Sequence, residues 1–154
     1  MRVSDSLRSG AIVTGVTWPD FEGAVGALVD RLVQSGSVPG PLARPAVDAI
    51  LSREEVASTL MVDIGVSIPH SRVDGLESLV SALALSPRGV FGAPAGTPIP
   101  IVFVVLSPPN LAGEHLNFLS ALSMLLHSAP FRRGLQEAAS ADSALDWIRA
   151  HERR

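Results

Sequence analysis

The chain has 154 residues, 47% of them hydrophobic, and its 12 basic and 15 acidic side chains give a net charge of −3. The chain therefore lacks the basic excess that is typical of nucleic-acid-binding proteins. Every basic residue is an arginine and cysteine is absent, which excludes a Schiff-base or Walker lysine, disulfides, thiolate metal sites and cysteine nucleophiles. We expect one domain over residues 1–154, with ample hydrophobic material for one core.

Neither a membrane span nor an export signal is predicted. The most apolar run, Ile99 to Leu106, is far too short to cross a bilayer. The N-terminus lacks the apolar region of a signal peptide. We therefore expect a soluble, cytoplasmic protein without direct membrane insertion.

The first third of the chain predicts a strand and two helices. Ala11–Thr14 is a short β-prone run. A helix is predicted to follow with Thr17 as its N-cap and to end at Gly36. Pro45 is predicted to open a second helix that runs towards Val56. The residues expected to face inward on this second helix are Val47, Ile50 and Leu51.

A short β-branched run ending in Pro69 stands near the middle of the chain. Proline favours extended geometry at the preceding residue, so we expect Ile68 to close a strand. Proline donates no backbone hydrogen bond, so strand pairing should fade at Pro69. His70 would then lie at the lip of a sheet, where strand ends commonly carry chemistry. The alternative is an ordinary exposed or hydrogen-bonded loop histidine.

Two further strands are predicted in the second half of the chain. Leu79–Leu85 is predicted to be a strand because a proline and a glycine stop it early. Gly92–Pro98 is rich in glycine, proline and alanine and predicts a loop. Ile99–Leu106 is continuously apolar, as in a central strand covered on both faces, with Pro100 tolerated near its start. The segment Ser107–Asn110 ends this strand.

The last third of the chain predicts three helices. The first spans His115–His127 and is broken by Pro130. Two shorter helices are predicted at Phe131–Ala139 and Ser140–His151, with Ser140 as the cap of the second. The inward stripe of the long helix is predicted to comprise Leu116, Leu119, Leu122 and Leu126. Strands alternating with helices, and one strand buried on both faces, indicate an α/β layered sandwich.

Several short motifs occur in a fixed order along the chain. They are Ser52-Arg53-Glu54-Glu55, Ser58-Thr59, Gly65-Val66-Ser67-Ile68-Pro69-His70 and Glu114-His115-Leu116. This ordered set resembles the signature of type-2 enzyme IIA domains, the fructose/mannitol class of the bacterial phosphoenolpyruvate-dependent sugar phosphotransferase system (PTS), which includes the nitrogen-regulatory IIA proteins. The resemblance implies a three-layer α/β/α sandwich with a mixed central sheet flanked by helices, like mannitol-type enzyme IIA. The chain departs from the pattern at Leu60–Ile64, which replaces a glycine-rich connection and is one residue longer.

The resemblance also implies roles for three side chains. His70 would be the phosphorylated histidine, His115 the second active-site histidine and Arg53 the arginine beside them. Without the family, His115 reads more simply as a helix cap or a partner of Glu114. By the same reasoning, Arg53 reads as a solvated partner of a neighbouring glutamate on its helix.

No cofactor or metal site is expected. A zinc ion between His70 and His115 would require further ligands, and the sequence nominates none. The remaining histidines, His127 and His151, lie at or near predicted helix C-termini, where a cation is mildly favourable, and receive no function.

A histidine that carries a phosphoryl group must meet two chemical requirements. It must be neutral, with one ring nitrogen free to attack phosphorus. Phosphoryl transfer asks mainly for positioning and for stabilisation of charge on the phosphoryl oxygens. His115 near a helix start and the planar fork of Arg53 suit that task. Because the group must leave again, one strong cation with neutral donors fits better than an arginine cluster.

Two functions are consistent with these residues. The first is a phosphocarrier that receives phosphoryl from the histidine-containing phosphocarrier protein HPr and passes it to the cysteine of a IIB domain. The second is a regulatory IIA-like module whose phosphorylation state controls binding to another protein. A fold relic without activity is a third, weaker reading, against which the joint presence of His70, His115 and Arg53 speaks.

A docking face for a basic partner is expected around His70. Its rim is predicted to consist of Asp63, Asp74, Glu77 and Glu114. Its apolar part is predicted to come from Leu60, Met61, Val73 and Leu111. Such a face would suit a brief encounter between two phosphocarriers.

Overall fold

A computed structural model of the chain describes residues 2–92 and 96–152. Within these ranges the α-helices are Phe21–Gln34 (α1), Ala43–Val56 (α2), Ala112–His127 (α3), Ala129–Gln136 (α4) and Ala141–Glu152 (α5). The strands are Leu7–Thr14 (β1), Leu60–Met61 (β2), Val66–Ser67 (β3), His70–Arg72 (β4), Val80–Leu85 (β5), Phe91–Gly92 (β6), Pro98–Ile99 (β7) and Ile101–Ser107 (β8). None of these helices combines the length and the apolarity needed to cross a membrane.

Six of the strands form one mixed sheet in the order β1-β5-β8-β3-β2, with β4 also paired to β8. The β1–β5, β3–β8 and β4–β8 pairs are parallel, whereas β5–β8 and β2–β3 are antiparallel. Every residue of β8 is buried, as predicted for a central strand. The sheet is therefore built around β8.

The sheet has a helical layer on each face. Val102, Val104 and Leu106 of β8 pack in one core cluster with α1 and α2. The intervening residues of β8, beginning with Ile101 and Phe103, pack in a second cluster with α3, α4 and α5. Alternating side chains of one strand thus supply both cores. The predicted three-layer α/β/α sandwich with a mixed central sheet is confirmed.

Pro69 interrupts a strand without ending it. β3 and β4 pair with β8 in one continuous register, from Val66 opposite Ile101 to Arg72 opposite Ser107. Across the gap, Val105 N–H donates to the Pro69 carbonyl at 3.0 Å. β3 ends at Ser67, one residue before the predicted end at Ile68, and the strand is interrupted at Pro69 as predicted. It was not predicted that pairing resumes at His70, which it does because the proline carbonyl still accepts. His70 begins β4 near the carboxyl end of β8.

Pro100 has a similar effect on the predicted central strand. The strand starts at Ile101, while Ile99 belongs to β7 and pairs with Phe91 of β6. The predicted run Ile99–Leu106 is divided because Pro100 has no N–H for the ladder. The predicted loop Gly92–Pro98 contains residues 93–95, which lie outside the described ranges. Gly92 and Pro98, the first and last residues of the predicted loop, belong instead to β6 and β7 and pair with each other.

Two helix predictions require correction. The N-cap of α1 is Asp20, whose carboxylate accepts from Gly23 N–H at 2.7 Å. Thr17 instead donates its hydroxyl to the Gly89 carbonyl, a contact distant in sequence. On α3 the inward stripe comprises His115, Phe118, Leu122 and Leu126. Leu116 is 63% exposed, so the stripe is shifted by one residue from the predicted phase at its N-terminal end.

Candidate active site

His70 has one ring nitrogen committed and the other available as a base. Its Nδ1 lies 2.8 Å from the carbonyl oxygen of Ile68, two residues earlier in the chain. A carbonyl oxygen only accepts, so Nδ1 carries the proton and donates it. In the neutral ring this leaves a lone pair on Nε2. The local backbone therefore selects the tautomer of His70.

Arg53 reaches that lone pair from the other side of the site. It lies in the last turn of α2, and its Nε–H donates to His70 Nε2 at 3.0 Å. This bond requires the same tautomer as the Ile68 contact, so the two bonds reinforce each other. The guanidinium is exposed to solvent. The alternative pairing of Arg53 with a neighbouring glutamate is not what the structure shows.

The electrostatics around His70 favour the neutral ring. Burial is the main cause that lowers its pKa below 6.5, and the Arg53 charge lowers the pKa further. The bond to the Ile68 carbonyl and the Glu54 charge act in the opposite direction but do not reverse the shift. His70 is therefore neutral at pH 7, as a nucleophilic nitrogen must be.

His115 lies beside His70 on the first turn of α3. Its side chain is buried, and its Nδ1 lies 2.6 Å from the Ser107 hydroxyl at the end of β8. The centroids of the His70 and His115 rings are 5.5 Å apart, and the rings are tilted by 54°. Burial, followed by the neighbouring His70, Arg72 and Arg53, lowers the pKa of His115 to about 4. His115 is thus a neutral ring that presents its second nitrogen to the site.

Glu54 fixes the chain between α2 and the histidine strand. Both carboxylate oxygens of Glu54 accept from Thr59 N–H at 3.1 Å, and the Thr59 hydroxyl also donates to this carboxylate. Ser58 Oγ accepts from the Leu60 backbone N–H at 3.2 Å. These contacts hold the turn after α2, so the Arg-Glu and Ser-Thr motifs have a structural reason to occur together.

The longer connection Leu60–Ile64 forms an ordered hairpin. Leu60 and Met61 pair with Ser67 and Val66 across a turn that ends at Gly65. Gly65 has φ +70°, and a Cβ there would lie 2.9 Å from Pro100 Cδ. The extra residue is therefore accommodated in the hairpin.

Two clefts lie at this site, and His70 itself lines the second of them. One, of about 330 Å³, is lined by Arg53, Ser71, Arg72, His115, Leu116 and Leu119. The other, of about 300 Å³, is lined by Ser58, Thr59, Leu60, Met61, Ile68, His70, Leu119 and Ser123. Sequence reasoning missed Arg72 and Ser107 as members of this site. The signal was the alternation of side chains along a strand, which places residues 70 and 72 on one face.

The remaining histidines lie away from this arrangement. His127 Nδ1 bonds to the Ser123 carbonyl and His151 Nδ1 to the Trp147 carbonyl, each within its own helix. Within residues 2–92 and 96–152, no group of three or more histidine, aspartate or glutamate side chains is placed to hold a metal ion.

The expected docking face is only partly assembled. Val73 is 5% exposed and belongs to the core, so its place on an apolar surface was wrong. Asp63 lies in the turn before β3, beside the start of β8, whereas Asp74 follows β4 at the end of β8. The length of β8 separates the two, roughly 20 Å at about 3.3 Å per residue. Asp74 follows Arg72 by two residues and Glu114 precedes His115, so these two stay at the His70 end of the sheet, whereas Glu77 lines a different cleft, with Asp5 and Arg8.

The chain matches a known protein family over almost its whole length. Residues 5–151 match the family described as "Phosphoenolpyruvate-dependent sugar phosphotransferase system, EIIA 2". A "PTS system fructose-specific EIIA component" from Haloferax volcanii is 37% identical over 126 residues, which cover 81% of this chain and 80% of that protein. The chain therefore belongs to the EIIA type-2 family, and the resemblance noted in the sequence is confirmed.

A second relative and a solved structure are also similar to the chain. A "Nitrogen regulatory protein" from Pseudomonas aeruginosa is 33% identical over 102 residues, which cover 66% of each protein. A chain in the solved complex of enzyme IIAMTL and phosphorylated enzyme IIBMTL from Escherichia coli superimposes with a TM-score of 0.69 and 18% identity. That match covers 94% of this chain and 99% of the other, and it shows a shared fold.

Proposed function

We propose that this protein is a phosphocarrier of the phosphoenolpyruvate-dependent sugar phosphotransferase system, accepting phosphoryl from HPr on His70 and passing it to a IIB domain. The observation that carries the proposal is the pair of bonds to one ring. Nδ1–H of His70 donates to Ile68, and Nε2 holds a lone pair beside Arg53. A histidine with a fixed tautomer, a lowered pKa and a guanidinium next to its basic nitrogen is prepared for nucleophilic attack on phosphorus.

The transfer step follows from this geometry. The Nε2 lone pair of His70 forms a new N–P bond while the N–P bond to the donor histidine breaks. The electron pair of the broken bond returns to the donor nitrogen. Nδ1 keeps its proton, and the Ile68 carbonyl stabilises the positive charge that the phosphorylated ring acquires. Passing the group onward reverses these steps, as the acceptor thiolate of the IIB domain takes the phosphorus and Nε2 recovers its lone pair.

Arg53 has to change its bond during the reaction. In the unphosphorylated protein its Nε–H occupies the lone pair that attacks phosphorus. Once Nε2 is bonded to phosphorus it no longer accepts, so Arg53 is released to pair with the phosphoryl oxygens. An exposed guanidinium on the last turn of a helix has the freedom for this small movement. Its planar fork matches the oxygen spacing of a phosphoryl group.

His115 is proposed to act as a neutral hydrogen-bond donor. When the Ser107 hydroxyl donates to Nδ1, the proton of the neutral ring resides on Nε2 and is available to a phosphoryl oxygen. The pKa near 4 keeps this ring neutral at pH 7, so it adds a donor without adding a full charge. His115 thereby assists transfer without carrying the group.

The proposed partners are those of the family. Membership of the EIIA type-2 family supports a phosphoryl donor of the HPr kind. The matching IIA chain in a complex with a phosphorylated IIB supports a IIB domain as acceptor. The expected chemistry requires no cofactor, because the phosphoryl group arrives already activated on the donor.

A regulatory role is the second candidate. The 33% identity to a nitrogen regulatory protein favours it. In this case the phosphorylation of His70 would control binding to a target protein instead of feeding sugar uptake. Neighbouring genes that encode a sugar permease would favour the transport role. A target protein captured only by one phosphorylation state would favour the regulatory role.

The proposal is tested by mass spectrometry of the intact protein after incubation with phosphoenolpyruvate, enzyme I and HPr. The wild type should gain one phosphoryl group that is labile in acid and stable in base. The variant His70→Ala should gain none, while His127→Ala, which alters an exposed helix-end histidine, should behave as the wild type. Labelling of His70→Ala at the wild-type level would refute the assignment.

A further inference from the structure

A second arginine lies on the same face of the strand as His70. His70 and Arg72 are two residues apart on β4, so their side chains project to the same side. Their partners on β8 are Val105 and Ser107, and Ser107 is the residue that bonds His115. The strand register therefore carries Arg72 towards the second histidine of the site.

Arg72 and Arg53 line one cleft from two different elements. Arg53 approaches from the end of α2 and Arg72 from β4, and the cleft of about 330 Å³ between them also contains His115 and Ser71. Across residues 2–92 and 96–152, no carboxylate lies within 4 Å of either guanidinium. The only ion pairs found in those ranges join Arg44 to Asp48 and Arg149 to Asp146.

Two guanidinium groups that line one cleft form a binding site for an anion. Both histidines are neutral at pH 7, because burial lowers the pKa of each. The two guanidiniums therefore face the cleft without a directly paired carboxylate in the described ranges, and Glu54, whose charge acts on His70, is engaged by Thr59. A phosphoryl group on His70 Nε2 would bring two negative charges to this place. Guanidinium groups bind such oxygens with two parallel N–H bonds each.

We propose that Arg72 is a second phosphoryl-binding side chain, which holds the oxygens of the phosphoryl group on His70 from β4 while Arg53 holds them from α2. This inference rests on the proposed function of His70. It replaces the expectation of a single strong cation at the site. Over-binding is avoided because both side chains are exposed and water competes for them. Arg72 is thus a binding residue for the transferred group.

The test compares two arginine variants that remove the same charge from opposite ends of the sheet. Arg72→Gln alters the end of β4, which pairs with the end of β8. Arg88→Gln alters an exposed turn after β5, whose last residue pairs with Ile101 at the start of β8. Phosphoramidate serves as a small donor, so partner docking does not enter the measurement. The readouts are the rate of phosphorylation of His70 and the half-life of the phosphohistidine.

Arg72→Gln should slow phosphorylation by roughly ten- to a hundredfold, since it loses one charged contact to the transferred group. It should also shorten the half-life of the phosphohistidine, because fewer cations then oppose protonation of the N–P bond. Arg72→Lys should recover part of the rate, as it restores the charge without the fork. Arg88→Gln should match the wild type in both measurements. Wild-type rate and half-life in Arg72→Gln would overturn the inference.

A second measurement keeps the inference testable if His70 accepts no phosphoryl group. The unphosphorylated protein is titrated with inorganic phosphate and followed by NMR signals of the arginine Nε–H groups. Phosphate should shift the Arg53 and Arg72 signals together, and Arg72→Gln should weaken the affinity several-fold relative to Arg88→Gln. Equal phosphate affinity in the two variants would overturn the role of Arg72. Absence of phosphorylation of the wild type by HPr and by phosphoramidate would instead refute the proposed function.

Discussion

Arg53 donates its Nε–H to His70 Nε2 across 3.0 Å, so the proposed nucleophilic nitrogen is covered while the protein is unphosphorylated. The opposite nitrogen is tied to the Ile68 carbonyl at 2.8 Å. The His70 ring is therefore held from both sides by hydrogen bonds that require the same tautomer. Removing Arg53 should therefore change both the pKa of His70 and the rate at which His70 is phosphorylated.

The variant Arg53→Ala should raise the pKa of His70, because the Arg53 charge is one of the causes that lower it. Burial is the larger cause, so we expect a partial return towards 6.5. Phosphorylation should slow by roughly tenfold to a thousandfold from the loss of a preorganised charge. NMR titration of the His70 ring and rate measurements with HPr check both effects.

The matched control is Arg44→Ala. Arg44 lies on the first turn of the same helix, in an exposed pair with Asp48 at 3.1 Å. Such surface pairs contribute little to stability. The control should leave the pKa of His70 and the transfer rate at wild-type values. A pKa of His70 that is the same in Arg53→Ala and the wild type would contradict the contact.

The pH dependence of stability should carry the signature of His115. Its pKa is lowered from 6.5 to about 4 in the folded protein, so between these values the unfolded chain binds more protons. Stability should therefore be complete above about pH 6.5 and should decrease as the pH falls towards 4, by about 3 kcal/mol from this residue. Denaturant unfolding at a series of pH values from 4 to 8 measures this slope.

The variant His115→Gln isolates that contribution. His70 also has a lowered pKa and acts in the same direction, but it is present in both proteins. The difference between the two slopes therefore belongs to His115. We expect a flatter profile for the variant even if its stability at pH 7 is lower. Parallel profiles would show that His115 titrates normally.

Burial patterns explain which parts of the fold were predictable. β8 and β5 were predictable because their signals are local. A continuous apolar run marks β8, and a proline and a glycine soon after β5 mark its end. The α1 cap was wrong because Thr17 is engaged by Gly89, 72 positions away, and local sequence carries no record of that contact. The stripe of α3 was misplaced because leucines were counted, whereas Phe118 and His115 set the buried face.

The candidate site was likewise predictable only in part. Arg53, His70 and His115 were nominated through a resemblance of ordered motifs, and the structure brings these three side chains together. Arg72 was missed because the chain was expected to leave the sheet at Pro69. With pairing resumed at His70, strand alternation would have placed Arg72 on the same face. A proline that interrupts a ladder for two residues is not distinguishable in sequence from one that ends it.

Gly134 is predicted to be required for the close packing of α4 against Trp147 of α5. It lies within α4, where an added Cβ would stand 2.1 Å from Trp147 Cζ2. The Trp147 indole N–H also donates to the Phe131 carbonyl at 3.0 Å, so the ring has little freedom to retreat. Gly134→Ala should lower the free energy of unfolding by about 1–3 kcal/mol.

Gly26→Ala is the control for that substitution. Gly26 lies within α1, and no described atom is within 4 Å of the Cβ that alanine would add. Alanine there should raise the free energy of unfolding by roughly 0.5–1 kcal/mol through helix propensity alone. Urea unfolding of both variants gives opposite signs if the close contact of Gly134 with Trp147 exists. Two stabilised variants would show that α4 and α5 do not approach so closely.

The last prediction concerns where HPr docks, and the structure supplies a control. Asp74 follows β4 near His70, whereas Asp63 lies in the hairpin turn beside the start of β8. Both aspartates are exposed, so each can be reversed in charge at little cost to the fold.

If a basic surface of HPr meets the His70 end of the sheet, Asp74→Arg should lower the association rate and weaken its dependence on salt. Asp63→Arg should change neither, because about two Debye lengths separate it from that end at physiological ionic strength. Phosphorylation by phosphoramidate should stay near the wild-type rate in both, which separates docking from the reactivity of His70. Rates are measured from physiological to high salt with HPr as donor, because a charge about 20 Å away is screened only in that range. Equal effects of the two reversals would mean that overall charge attracts the donor, and a larger effect of Asp63→Arg would place the docking surface on the hairpin.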